Sequence, residues 1–302
     1  MKKLPAFLRP VCLLVLGVLL VGAGTVPHAA FPTPEAAFEA FLAASRTGDP
    51  ERLVPLLGPG SRALVHSGDP VADREVLAGL VRAAEERVFF QREGEERVTA
   101  CLGFDNWPLP IPLVKTGASW RFDSRAGAEE VLRRRIGRNE LATLETLRAL
   151  VVAQRQYYAR DLDSDGVVEY AARLVSGPGR KDGLYWEVPA GQEPSPLGPE
   201  IARAWQEGYR RQGAPYHGYY YRVLTAQGPE ARGGAYDYIR NGHMVGGFAV
   251  VAWPATYGNS GVTTFLVNTN GILWEKDLGP RTDALARAMK TYNPDRTWRK
   301  AK

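Results

Sequence analysis

The stretch from Glu129 to Tyr170 constrains this chain more than any other. Val131, Leu132, Ile136, Leu141, Leu144, Leu147, Leu150, Val151, Gln154, Tyr157 and Tyr158 recur at steps of three and four. That spacing predicts one long amphipathic helix from Glu129 to about Arg160. Glu129 and Glu130 stand where the helix dipole favours acids. Gly137 interrupts the pattern and is expected to kink or divide the helix, since glycine costs about 1 kcal/mol against alanine in a helix interior. A helix with one wide apolar stripe needs a sheet to cover it, and strand-like runs lie on both sides of this one.

The helix runs into an acidic loop. Asp161, Asp163, Asp165, Gly166 and Glu169 fall at positions 1, 3, 5, 6 and 9 of an EF-hand-like calcium loop, with the carbonyl of Val167 at position 7. A tight turn about the glycine converges alternate carboxylates on one hard cation, which is why calcium needs this spacing. Position 12 carries Ala172 instead of a bidentate glutamate, so Asp182 or Glu187 is expected to complete the shell. The alternative is a plain Asp-Gly turn with exposed acids. Three clustered carboxylates without a paired base make a poor acid–base system, so no catalysis is expected there.

The beginning of the chain bears on compartment. Lys2, Lys3 and Arg9 precede an apolar run from Val11 to Val26, with small residues at Ala29 and Ala30, the pattern of a secretory signal peptide over residues 1–30. The run is shorter than the roughly 20 apolar residues of a stable span, so membrane contact is expected only if the segment stays uncleaved. Cleavage removes three basic residues and no acidic one, taking the net charge from +5 to +2. A sequence pI near 9.2 is then no argument for nucleic acid, which needs a clustered basic stripe. Cys101 is the one cysteine beyond the segment, which excludes an intramolecular disulfide. Between Val98 and Leu102 it reads as a buried apolar residue.

Residues 31–125 read as helices followed by short strands. Helices are expected over Glu35–Ser45, after Asp49, and over Asp69–Glu86. Strands follow at Arg87–Gln91, Arg97–Phe104, Leu109–Lys115 and Ser119–Asp123, with Pro108, Pro110 and Pro112 marking the third as an edge. Residues 126–302 open on the long helix. A short helix at Val168–Val175 and another at Glu200–Arg210 come next. Strands at Tyr219–Leu224, Phe248–Trp253, Val262–Asn268 and Ile272–Lys276 follow, the last two joined by Asn270-Gly271. A helix from Pro280 to Tyr292, with Leu285 and Met289 inward, closes the chain. The fold class is α+β in two domains.

Three resemblances add to this reading. The opening amphipathic helix, the Gly48-Asp49-Pro50 break and the strand Trp120-Arg121-Phe122-Asp123 resemble the cone-shaped fold of nuclear transport factor 2 and ketosteroid isomerase. That resemblance implies a pocket, with Asp105 or Asp123 as its carboxylate. The segment Asn139–Leu144 through Tyr157-Tyr158 is similar to the exposed half of the type IV pilin and pseudopilin helix, and Gly246–Pro254 and Gly261–Gly271 resemble the pilin-like sheet. The apolar stalk of a pilin is absent. From Phe31-Pro32-Thr33-Pro34 to Trp298-Arg299, the chain also resembles a family of exported bacterial proteins known only as a domain of unknown function. Asp182–Trp186 and Pro215–Tyr220 carry that similarity, which implies export but no activity.

Tyr216, His217, Tyr219, Tyr220, Tyr221, Tyr236, Tyr238 and His243 form an aromatic region able to stack on sugars or to face the core. No His-Glu-x-x-His, Gly-x-Ser-x-Gly or Walker loop is present. The sequence therefore points to a periplasmic or secreted bacterial protein that binds or assembles with an envelope protein or glycan, its loop stabilised by calcium. The alternative is an exported hydrolase-like enzyme using the cone pocket or His217, His243 and Asp237.

Overall fold

The computed structural model describes residues 28–189, 191–209 and 213–301, apart from the Trp205 side chain. The expected signal peptide lies outside them except for its last three residues. Of these, Ala29 donates its N–H to the Pro55 carbonyl at 3.0 Å. Among the described residues no helix is long and apolar enough to cross a membrane.

The architecture is α+β with antiparallel principal sheets. Helix α1 (Pro34–Arg46) starts where Thr33 Oγ1 accepts the Ala36 amide, with proline in the first turn. Its apolar spacing turns Ala37, Phe38 and Phe41 inward. Asp49 caps a 3-10 turn (Pro50–Leu53) that leads into the short helices α2 (Val54–Leu57) and α3 (Arg62–Val65). Helix α4 (Pro70–Glu86) is capped by Asp69. These helices cover a sheet of β1 (Val88–Glu93), β2 (Arg97–Leu102), β4 (Leu113–Thr116) and β5 (Ser119–Phe122), in the order β1-β2-β4-β5. The two-residue β3 (Trp107–Pro108) also pairs with β2. Phe38, Phe41, Phe90 and Phe122 meet at ring separations of 5.2–6.3 Å inside this layer.

The expected proline-marked edge strand is corrected. Strand β4 lies between β2 and β5 and is internal, while Pro108 keeps an edge position because β3 pairs with β2 alone. Pro110 and Pro112 fall in the gap between β3 and β4, where no ladder bond is required.

Helix α5 spans Ser124–Tyr158, 35 residues without interruption, and Asp123 caps its start. The expected division at Gly137 does not occur. Arg135 and Asn139, on either side of it, are buried and bonded to both halves of the chain, so the backbone passes through Gly137 as helix. After α5 come the parallel pair β6 (Arg173–Val175) and β7 (Gly183–Tyr185), then α6 (Gly198–Gln206). The principal sheet of this half takes the order β14-β13-β12-β11-β8. Its strands are β8 (Tyr219–Leu224), β11 (Ala249–Pro254), β12 (Thr263–Asn268), β13 (Leu273–Asp277) and β14 (Arg299–Lys300). A small hairpin-like pair, β9 (Ala226–Gln227) with β10 (Tyr236–Asp237), lies beside it. Every residue of β11 is buried, because α5 and α7 (Thr282–Ala288) both pack on that strand.

Two expectations fail here. Val168–Val175 is no helix: both backbone groups of Ala171 are taken by the Gln154 side chain at 2.8 and 2.9 Å, and the Tyr170 N–H goes to Met244. A helix would need those groups for its own ladder. The C-terminal helix is shorter than Pro280–Tyr292, with Ala286 facing inward and Leu285 exposed.

The apolar side chains form two separate cores, one within residues 31–131 and one from Leu144 onward. Between them the contact is polar. Asp69 is buried, and its Oδ2 accepts the Tyr209 hydroxyl at 2.8 Å and the Gly218 amide at 2.9 Å while its Oδ1 caps α4. The Arg135 guanidinium bonds the carbonyls of Ala63 and Leu64 and the Asn259 side chain. Asn139 donates to the Ser260 carbonyl at 2.9 Å.

Candidate functional site

The acidic loop folds around its own first carboxylate. Asp161 accepts the amides of Asp165 at 3.1 Å and Gly166 at 2.9 Å, and Asp165 Oδ1 accepts the Val167 amide at 2.8 Å. Ser164 (φ 64°) and Gly166 (φ 89°) both adopt left-handed backbone, which bends the chain tightly enough for this. Carboxylate oxygens of Asp161, Asp163 and Asp165 then lie within 4.8 Å of one another. A second group with the same limit joins Asp165 to Glu169 and His243. His243 Nδ1 stands 3.2 Å from Asp165 Oδ2 and 3.6 Å from Glu169 Oε1, and Glu169 also accepts the Met244 amide.

The charges in this loop respond to the crowding. The amides of Gly166 and Asp165 hold Asp161 below the usual carboxylate range. Asp163 is pushed up, first by burial and then by the negative charges of Asp165 and Glu169. A bound divalent cation would relieve that repulsion. The residues able to hold one are Asp161, Asp163 and Asp165 in one group, or Asp165, Glu169 and His243 in the other.

Asp182 does not complete this shell. It accepts the Gly177 amide at 2.8 Å and faces Arg173 and Arg180 at 3.8 and 4.0 Å, while Glu187 is exposed beside Tyr185. His243 instead stands beside Asp165 and Glu169, and sequence reasoning did not assign it to the loop. The signal lay next to it: Asn241-Gly242 is a hairpin dipeptide, and both residues take positive φ in a turn closed by Arg240 and His243.

The three residues of the enzyme alternative do not converge. His217 stands 3.6 Å from Glu207, His243 belongs to the acidic loop, and Asp237 is exposed and caps the Ile239 amide. Among the described residues no hydrogen bond or ion pair joins any two of them. Asp123 is the cap of α5, and Asp105 is exposed in the turn after β2. Asp105 and His217 both border a cavity of about 840 Å³ between the halves, but its described lining contains no Ser, Thr or Cys nucleophile. Cys101 is buried, and burial pushes its thiol up, away from the reactive thiolate.

The aromatic region divides. Tyr219 and Tyr238 are core residues, while Tyr216, Tyr220 and Tyr221 line an apolar cavity of about 730 Å³ between α5, α6 and β8. Tyr236 instead borders a third cavity of about 600 Å³ next to the acidic loop. Tyr170, directly after Glu169, lines that cavity and stacks on Tyr158 at 4.4 Å. Val245, Gly246 and Gly247, just beyond His243, line it as well. The loop and the cavity thus share two stretches of backbone.

No curated protein and no solved structure matches the chain. Residues 28–301, nearly the whole of it, match the family described as protein of unknown function (DUF2950), so the chain belongs to that family.

Proposed function

We propose that this is an exported, non-enzymatic binding protein of the bacterial cell envelope whose acidic loop is clamped by calcium. The observation that carries the reading is a pair of ligand groups that meet at Asp165, one with Asp161 and Asp163 and one with Glu169 and His243, in a loop ordered by its own first carboxylate. Hard oxygen ligands on a flexible turn suit calcium better than magnesium, which demands a tighter octahedron. The leader-like start of the sequence supports export, and the dispersal of His217, His243 and Asp237 supports a binding role over catalysis. The two cores support a division into domains of 31–125 and 126–302, cone-like and pilin-like respectively, with α5 laid across β11 and β12 of the second. The envelope partner is a protein or a glycan.

Thermal melting tests the clamp. A ligand bound only by the folded state at one hundred times its Kd adds about 2.7 kcal/mol. For a protein of this size that corresponds to a rise of roughly 5 °C in Tm between chelator and saturating calcium. Asp165→Asn, at the carboxylate shared by both groups, should abolish the rise. An unchanged Tm across millimolar calcium removes the ion from the account. His243 favours a second reading, since imidazole suits zinc better than calcium. A larger rise with zinc, lost in His243→Ala, would transfer the clamp to that ion.

A further inference from the structure

The 600 Å³ cavity beside the loop has the chemistry of a ligand site that no other part of the molecule uses. Its volume falls within the ~300–1,000 Å³ typical of small-molecule sites. The rings of Tyr236 and Trp274 border it with accessible apolar surface and polar edges, while those of Tyr238 and Tyr292 beside them are buried in the core. The remaining hydrogen-bonding capacity is lopsided. Gln227 is spent: its Oε1 accepts the Tyr238 hydroxyl at 3.1 Å and its Nε2 donates to the carbonyls of Arg232 and Gly234. Asn268 Oδ1 is spent on the amides of Asn270 and Ile272.

What remains uncommitted among the described residues is mostly donors. Asn268 keeps its Nδ2, and Arg232 and Lys300 on the rim have no carboxylate partner. Trp274 Nε1 is buried and faces the Tyr292 side chain, so it is not among the free donors. Against these stands one free carboxylate, Glu230. A purely apolar ligand would satisfy none of these donors. The fitting ligand has apolar faces, acceptor-rich edges and a negative charge.

We propose that this cavity binds carboxylate-bearing saccharides, such as uronic acids or lactyl-substituted amino sugars. The sugar's C–H faces lie on the aromatic rings, and its carboxylate is met by Arg232 and Lys300. This deepens the binding reading above by naming the partner class. It also links the site to the clamp, because Tyr170 follows Glu169 and Val245–Gly247 follow His243. An ion drawing Asp165, Glu169 and His243 together holds both walls in register.

The test is calorimetric titration of the exported chain with tri-galacturonate and with the disaccharide of N-acetylglucosamine and N-acetylmuramic acid, which separates the two sources of the carboxylate. Maltotriose and AMP serve as controls. At least one acidic saccharide should bind, more tightly than maltotriose. Arg232→Ala should weaken it about tenfold or more through loss of a charge-assisted bond, and Tyr236→Ala should weaken it as well. Both side chains are exposed at the rim, so circular dichroism should stay unchanged. Absence of binding by both acidic saccharides at millimolar concentration overturns the proposal. So does equal affinity in both variants, or binding of AMP or maltotriose alone. Repeating the titration in chelator separates the two readings. Lost affinity supports the link to the clamp, and retained Arg232-dependent binding overturns the link while leaving the saccharide site standing.

Discussion

His217 shows how a single side chain takes its behaviour from its surroundings. It sits at φ 50° with Gly218 at φ 75°, the two central residues of a tight turn closed by Tyr216 and Tyr219. Tyr209 and Tyr216 press on its ring at 5.5 and 4.1 Å. Burial pulls its pKa below the ordinary imidazole value. Glu207 and Asp69 oppose that shift, and Arg138 and Arg203 add to it. The unfolded imidazole therefore takes up a proton at a higher pH than the folded one. Stability falls as pH drops through the unfolded value of about 6.5, until the folded group also protonates. Tm should decline between pH 7.5 and 5.5, and His217→Asn, which tolerates the left-handed backbone, should flatten part of that decline. Identical pH profiles for the two proteins would refute the assignment. In a chain that keeps residues 1–30, His28, shifted in the same direction, leaves a residual slope in the variant.

At the scale of elements, α5 carries two glycines with opposite roles. A methyl group on Gly137 would meet nothing within 4 Å, whereas one on Gly127 would lie 2.6 Å from the Pro110 carbonyl oxygen and 2.8 Å from Ile111 Cα. Gly127 lets the start of the helix pass against the β3–β4 connection, and Gly137 is only a poor helix former on an exposed face. Gly137→Ala should stabilise by about 0.5–1 kcal/mol in urea denaturation, and Gly127→Ala should destabilise by about 1–3 kcal/mol. A destabilising Gly137→Ala would show that the helix needs flexibility there. The periodicity that announces α5 was legible in Leu144, Leu147, Leu150 and Val151, all of which are buried. Glycine alone could not tell a break from a close approach, because the difference lies in what the neighbouring strand places beside it.

At the scale of the whole molecule, the two cores are joined by one helix and a polar seam. Arg135 spans the seam, and burial lowers its pKa while the nearby charge of Asp73 opposes this. Arg135→Ala leaves the carbonyls of Ala63 and Leu64 and the Asn259 side chain without their donor, a loss of about 3 kcal/mol. Because the seam couples cores that are each apolar within themselves, the variant's heat-capacity trace should split into two transitions. A single transition at lower temperature would mean that α5 alone makes the halves unfold together. By itself, the sequence determined the α+β class, the long helix, the β12–β13 hairpin at Asn270-Gly271 and the loop carboxylates. These are encoded within a few residues, by periods, caps and turn dipeptides. Only the tertiary structure decided that His243 joins Asp165 and Glu169, that Gln154 captures Ala171, and that Asp69 bonds Tyr209 and Gly218. The bonded partners there lie between 17 and 149 residues apart. The acidic loop at the end of α5 was visible from its spacing. Its contact with an aromatic cavity was not, because a side chain's distant neighbours are set by how the layers pack and leave no local pattern.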